Sequence, residues 1–208
     1  MLRCRLLYFV KYPEPGKVKT RLARTVGYEQ AAGIYRKLAE ENFRVLQSLK
    51  NPQMETCVMF DPPEAGPQIK AWLTAKSCFY LPQEGSNLGE RLTRAFQSAF
   101  EGGVDKAIAL GSDTLNFSAS LIHKAFKLLD SKEVVIGPAR DGGYYLVGLS
   151  RLELSIFGDI PWSTPSVFAA TLERIRKQKL TWELLPELED LDEVKDLKSI
   201  FTNGRKLL

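Results

Sequence analysis

The segment KYPEPGKVKTR at residues 11–21 places four cations around one glycine. Pro13 and Pro15 stiffen it, and Gly16 lets the backbone approach an anion closely. Lys17, Lys19 and Arg21 can then neutralise phosphate charge, the lysines as point charges and the arginine through a two-pronged fork. The chemistry expected is a grip on the phosphates of a nucleotide, with Lys17 and Arg21 stabilising a departing phosphate group. The loop is not a Walker A loop, because G-x-x-x-x-G-K-[ST] is absent. A solvated basic turn is the plain alternative.

Four further segments carry residue types suited to the same chemistry. In LGSDT at 110–114, an apolar run meets Asp113, which can hold a divalent cation through hard oxygens or cap the next turn. In GPARDGGYY at 137–145, Gly142 and Gly143 allow backbone to lie against a substrate. Asp141 is a candidate base, and Tyr144 can stack on or bond to substrate; an ordinary Asp-Gly hairpin turn is the other reading. The acidic stretch ELEDLDEVKD at 187–196 offers Asp190 and Asp192, either of which could complete a metal site with Asp113. Without a cation, carboxylates so gathered would repel and one would hold its proton. Alternatively Asp192 caps a helix starting near Glu193. In QEGSNLGER at 83–91, Gly85 and Asn87 lead into a helix whose free N–H groups suit an anion, and Arg91 either reaches the same cleft or pairs with an acid. Trp162, in PWSTP, could line a pocket. His123, the only histidine, lies among apolar helical residues, so no Ser–His–Asp or Cys–His hydrolase can be built.

These segments must be held together by strands and helices. Short apolar runs bounded by breakers at 5–10, 56–60, 78–81, 107–110 and 134–136 read as strands covered on both faces. Helical patterns lie between them at 29–49, 88–100, 120–129 and 165–177. Asn87 is expected to cap the second with Glu90 at its third position, and Thr164 with Pro165 to start the last. Residues 144–149 and 182–185 can add strands in either direction. Alternation of this kind implies α/β architecture, a mainly parallel sheet with helices on both faces in one domain over 1–208. The site is then expected beyond the carboxyl ends of the strands.

Charge is local. Residues 1–24 carry seven Lys/Arg and one acid, so the rest of the chain is slightly acidic although the whole is +4. A local patch suits a small polyanion better than nucleic acid. The longest uncharged stretch, 160–172, is 13 residues, too short to span a bilayer. Cys4, Cys57 and Cys78 are an odd number with no metal-ligand spacing, which fits buried thiols in a cytoplasmic protein.

Taken together and in order, K-x-P-x-P-G-K-V-K-T-R-L, Q-x-G-x-x-L-G-E-R, G-S-D, G-P-A-x-D-G-G-Y-Y-L-x-G-L, W-S-T and the D-x-D tail cover residues 5 to about 200. The chain resembles the bacterial glycosyltransferase-like proteins of the nucleotide-diphospho-sugar transferase superfamily, in the branch linked to radical-SAM-associated and arsenosugar-biosynthesis transferases. More distantly it is similar to phospholactate and molybdenum-cofactor guanylyltransferases. The resemblance implies a GT-A-like fold, a nucleotide or nucleotide-sugar donor, a small-molecule acceptor, and Mg2+ or Mn2+. It implies a donor site at Gly16, Lys17, Lys19 and Arg21, Asp113 as the metal aspartate, and the turn from Asp141 to Tyr144 facing acceptor or sugar. The chain departs from the pattern after Asp113, where Thr114 and Leu115 replace a small residue or cysteine followed by proline. Three functions remain open: glycosyl transfer, nucleotidyl transfer with pyrophosphate release, and nucleotide binding without turnover. No nucleic-acid or membrane partner is expected, and a homo-oligomer is left open.

Overall fold

The computed structural model describes residues 2–49, 51, 53–75 and 78–196. Among these, seven strands form one sheet: β1 (Cys4–Lys11), β2 (Met54–Asp61), β3 (Cys78–Pro82), β4 (Lys106–Gly111), β5 (Val134–Pro138), β6 (Tyr144–Leu149) and β7 (Trp182–Leu184). Their order across the sheet is β3-β2-β1-β4-β6-β5-β7. Each pairing is parallel except those of β6, which runs against both β4 and β5. The sheet is thus mixed and mainly parallel, as expected, and the run at 182–184 joins it parallel to β5.

Alternating side chains divide the core between the two faces. Leu6, Tyr8 and Val10 of β1 pack with α2 (Tyr28–Gln47), α3 (Gly66–Trp72) and α5 (Ala119–Leu128) on one face. Leu7 faces the opposite way, toward α4 (Leu88–Glu101) and α6 (Val167–Lys177). Both faces are covered, which explains why the strands read as unbroken apolar runs.

Two helices were not expected. α1 (Thr20–Val26) begins where the basic loop was expected to continue, so Arg21 stands in a first helical turn. Its seven residues are too few to show a periodic stripe, and its burial rests on Leu22 and Ala23 against α2. α3 is equally short and starts with a proline in its first turn. The last expected helix begins at Val167, after Thr164 has turned its hydroxyl to the carbonyl of Pro161 at 2.7 Å. Asn87 caps α4 as expected. Its side chain accepts from Glu90 N at 3.0 Å, while the Glu90 carboxylate returns to Ser86 N at 2.9 Å.

Candidate functional site

The loops leaving β1 and β4 and the start of β6 enclose a cleft of about 870 Å3. It lies at the carboxyl ends of the parallel strands, where the sheet switches from β1 to β4. Lys17, Lys19 and Arg21 line it, with Asn87 and Arg91. Asp113, Asp192, Asp141, Gly143, Tyr144 and Trp162 line it as well. Pro15, Gly16, Gly85 and Gly142 are not on the wall.

Lys19 is the centre of the charged half. Its Nζ donates to Asp113 Oδ2 at 2.7 Å and to Asp192 Oδ1 at 2.9 Å, and its side chain is only 8% exposed. Burial alone would lower the ammonium's pKa, but the two carboxylates outweigh it and raise it. Burial likewise pushes Asp113 up, yet the charge and hydrogen bond of Lys19 hold its carboxyl below the ordinary value. The expectation of Lys19 as a freely offered phosphate contact is therefore altered: its charge is already shared by two aspartates. Lys17 and Arg21 differ. Lys17 is exposed and has no ion-pair partner among the described residues, and Arg21 is 70% exposed with its nearest carboxylate, Asp192, 4.0 Å away.

The acidic stretch reaches Asp113 through backbone pairing. Leu115 N donates to Glu189 O at 2.8 Å and Leu191 N to Asp113 O at 3.0 Å, an antiparallel bridge between Thr114 and Asp190. This sends the Asp192 carboxylate to Lys19. The turn at 194–196 is instead closed by Asp196, whose Oδ2 accepts from Asp192 N and Glu193 N. Leu115 is buried with Leu22, Ile34, Leu38 and Leu191, so the unusual Thr114-Leu115 pair packs the acidic stretch onto α1 and α2. Asp113 keeps its place in the cleft. Nothing in the spacing of residues 110–115 and 187–192 announces this pairing.

Two α2 residues missed by sequence reasoning fix the same turn. Asn42, fully buried, donates to Ser112 O at 3.2 Å and Thr114 O at 2.9 Å. The Tyr35 hydroxyl lies 2.8 Å from Ser112 Oγ and accepts from Lys11 N at 2.9 Å. The signal was present for Asn42: it falls four residues after Leu38 and before Leu46, an amide within the apolar stripe. Asn42→Ala is expected to cost about 2–4 kcal/mol, because two buried carbonyls lose their donor; urea denaturation checks this, and an unchanged midpoint would refute the clamp.

Arg91 is engaged as an anchor. Its Nη1 lies 3.4 Å from Asp61 Oδ2 and 3.2 Å from Gln83 Oε1, and its Nε donates to Gly85 O at 3.1 Å. Gln83 in turn donates to the carbonyls of Val10 and Met59. This network ties the ends of β1, β2 and β3 to α4. Gly85 adopts φ 138°, and a Cβ there would lie 2.7 Å from Glu90 Cβ. Gly16 adopts φ 82° in open space, so it serves the turn itself.

The Asp141 segment is a tight turn joining β5 to β6. Asp141 Oδ1 accepts from Gly143 N at 2.8 Å, which leaves its other oxygen without a partner among the described residues. A Cβ on Gly142 would sit 2.0 Å from Pro165 O, so only glycine lets this turn press against the approach to α6. Trp162 packs directly on Gly89 of α4 and meets Tyr144 edge-on, ring centres 6.3 Å apart. The Tyr144 hydroxyl is buried, so Tyr144 offers the cleft its ring. Tyr145 is buried, with its ring over Gly137 and its hydroxyl donating to Pro186 O at 3.1 Å.

Asp190 is brought beside this cluster with Oδ1 buried and unpaired among the described residues. Burial first, and the charge of Asp113 second, push its pKa up to about 7. A carboxyl raised in the folded state binds more protons than the unfolded chain between about pH 4 and 7, so stability falls as pH rises through that window. Asp190→Asn is expected to leave stability unchanged below pH 4 and to raise it at pH 8, on the order of 2 kcal/mol or about 5 °C in Tm. A variant no more stable than the parent at pH 8 would contradict this.

Among the described residues, no three or more His, Cys, Asp or Glu side chains gather as a cage for a metal ion. Asp113 and Asp192 nevertheless converge on one positive charge, Lys19 Nζ, and both are hard oxygen donors, a pair that fits Mg2+ or Mn2+. No described helix is long and apolar enough to cross a membrane.

Several known proteins of this shape are nucleotide-using transferases by name. A candidate nucleotide-diphospho-sugar transferase from Desulfovibrio desulfuricans G20 superposes with a TM-score of 0.89 at 36% identity, covering 99% of this chain and 89% of its own. The 4-diphosphocytidyl-2C-methyl-D-erythritol synthase of Anaerococcus prevotii gives 0.63 at 12% identity, over 98% and 95% of the two chains. A mannosyltransferase of Pyrobaculum calidifontis, solved with GDP-Man and Mn2+, gives 0.60 at 14%, over 90% and 56%. At such low identity the last two establish the fold alone. No curated protein matches this chain. Residues 45–164 match the family described as "Uncharacterized protein conserved in bacteria (DUF2064)". With more than half its length matched, and a relative of 36% identity along nearly all of it, the chain belongs to the DUF2064 family and has the nucleotide-diphospho-sugar transferase fold.

Proposed function

We propose that this protein is a nucleotide-dependent transferase, in its primary reading a glycosyltransferase that uses a nucleotide-diphospho-sugar. One observation carries the reading: two exposed cations, Lys17 and Arg21, line the same cleft as the Asp113–Asp192 pair, Asp141 and Trp162. Lys17 and Arg21 hold the donor's diphosphate and stabilise the charge that grows on it as the sugar–oxygen bond breaks. Bound at Asp113 and Asp192, Mg2+ or Mn2+ supplies further neutralisation of that charge. The acceptor hydroxyl attacks the sugar carbon, and the unpaired oxygen of Asp141 takes its proton. Trp162 gives that half of the cleft an apolar floor on which a sugar face can rest. The mannosyltransferase named above, of the same fold and crystallised with a nucleotide-sugar and Mn2+, supports the reading.

A second reading is nucleotidyl transfer from a triphosphate. Its specific support is Lys11, also exposed and also on the cleft wall, which adds a third exposed cation to Lys17 and Arg21. A triphosphate carries the greater negative charge. Thermal unfolding with GTP, CTP, ATP, UDP-glucose and GDP-mannose, each with Mg2+ or Mn2+, separates the two. The primary reading expects a Tm rise of about 5 °C or more with one nucleotide-sugar at 100 times its Kd. Preference for a triphosphate with pyrophosphate release would replace it by the second reading. No shift with any nucleotide would defeat both.

A further inference from the structure

The Asp113–Asp192 pair, the feature that invites a divalent cation, is already filled by an ammonium. Lys19 Nζ lies within 2.9 Å of an oxygen of each carboxylate, in a side chain that is 92% buried by its 8% exposure. Lys19 also has a left-handed backbone, φ 46° and ψ 46°, at the residue that starts α1. A non-glycine residue rarely adopts that conformation, so the backbone places this side chain at some cost. The result is a lysine whose head reaches between Asp113 and Asp192.

We propose that Lys19 is the resident counter-ion of the Asp113–Asp192 pair, and that a divalent cation binds there by displacing it. This rests on the metal-assisted reading above and adds to it an order of events. Both cations need the same hard oxygens, and two positive charges cannot sit side by side on them without strong repulsion. The divalent ion brings twice the charge to those oxygens. The lysine stem has four rotatable carbons, so its head can leave while the backbone stays. The cleft it would enter already holds Lys17 and Arg21. Loading the cation therefore frees a further positive charge for the donor's phosphates, and each ligand strengthens the other's binding. Lys19 is in this sense a positioning residue: it holds the acidic stretch against the Gly-Ser-Asp turn until the cation takes over.

The test uses Mn2+ alone, with no nucleotide, and reads free Mn2+ by electron paramagnetic resonance. Lys19→Met removes the competing charge, and is expected to bind Mn2+ at least about 10-fold more tightly than the parent. Lys17→Met, an exposed neighbour in the same loop, is expected to change affinity by less than about 3-fold, the size of a screened surface effect. Equal or weaker binding by Lys19→Met overturns the displacement while leaving the metal reading intact. Absence of Mn2+ binding in both proteins overturns the two together. Amine acylation of the unmutated protein gives an answer that does not depend on the variant's folding. Lys19 is expected to label slowly without cation and about 5-fold faster at saturating Mn2+, with Lys17 unchanged, since reaction needs an accessible amine. Labelling of Lys19 that ignores bound Mn2+ overturns the proposal.

Discussion

Asp113→Asn is expected to lower transferase turnover about 1,000-fold and to abolish the dependence of nucleotide binding on Mg2+. A cation held by carboxylates contributes several kcal/mol to a transition state in which phosphate charge grows, and about 4 kcal/mol corresponds to three decades in rate. Asparagine keeps the shape and one oxygen but removes the negative charge that attracts the ion. The fold should survive. Lys19 retains Asp192 at 2.9 Å, so the buried ammonium keeps one carboxylate, and the stability cost is about 1–2 kcal/mol. A second consequence follows from the neighbouring aspartate. The charge of Asp113 is the second cause, after burial, of the raised Asp190 pKa. In Asp113→Asn that pKa should fall toward the ordinary range, and the decline of stability between about pH 4 and 7 should shrink. Turnover, Tm with and without Mg2+, and urea denaturation across pH check the three parts. Undiminished Mg2+ dependence in this variant would move the metal away from Asp113.

Lys17→Ala combined with Arg21→Ala should weaken nucleotide binding about 100-fold with Tm shifted by no more than about 2 °C. A hydrogen bond to a charged group contributes about 1.5–3 kcal/mol, and two at the lower end give roughly two decades in Kd. The lower end applies because both side chains are open to solvent and salt screens them. For the same reason the stability effect is small: Lys17 makes no ion pair among the described residues, and the Arg21–Asp192 contact at 4.0 Å is a loose surface pair. The loss should be larger at 50 mM salt than at 500 mM, because screening is weaker there. Isothermal titration at the two salt concentrations measures this. An affinity equal to the parent's would remove the basic loop from the donor site.

The contrast between Lys17 and Lys19 shows where sequence reasoning stops. By residue type both are phosphate contacts, lysines two residues apart in one basic loop. The left-handed backbone at Lys19 places its side chain between Asp113 and Asp192, and residue type gives no sign of that turn. Arg91 is similar: it lines the cleft, but Asp61 and Gln83 hold its guanidinium. Asp61 lies thirty residues upstream, so no local spacing could pair them.

What the sequence determined by itself is the architecture and the end of the sheet at which the cleft opens. Apolar runs with breakers dictate strands buried on both faces, helical stripes between them dictate parallel crossovers, and that topology puts the loops that line the cleft at one edge of the sheet. These signals are local and repeated, so they survive in a one-dimensional reading. The tertiary structure alone decided which of the charged residues are committed to one another. The pairing of residues 113–115 with 189–191 joins segments more than seventy residues apart through backbone hydrogen bonds, which leave almost no trace in side-chain type. That pairing delivers Asp192 to Lys19, buries Asp190, and gives Thr114 and Leu115 a packing role. The basic loop after the first strand was visible as a set of charges; its division into a buried lysine held by two aspartates and two exposed cations required the fold.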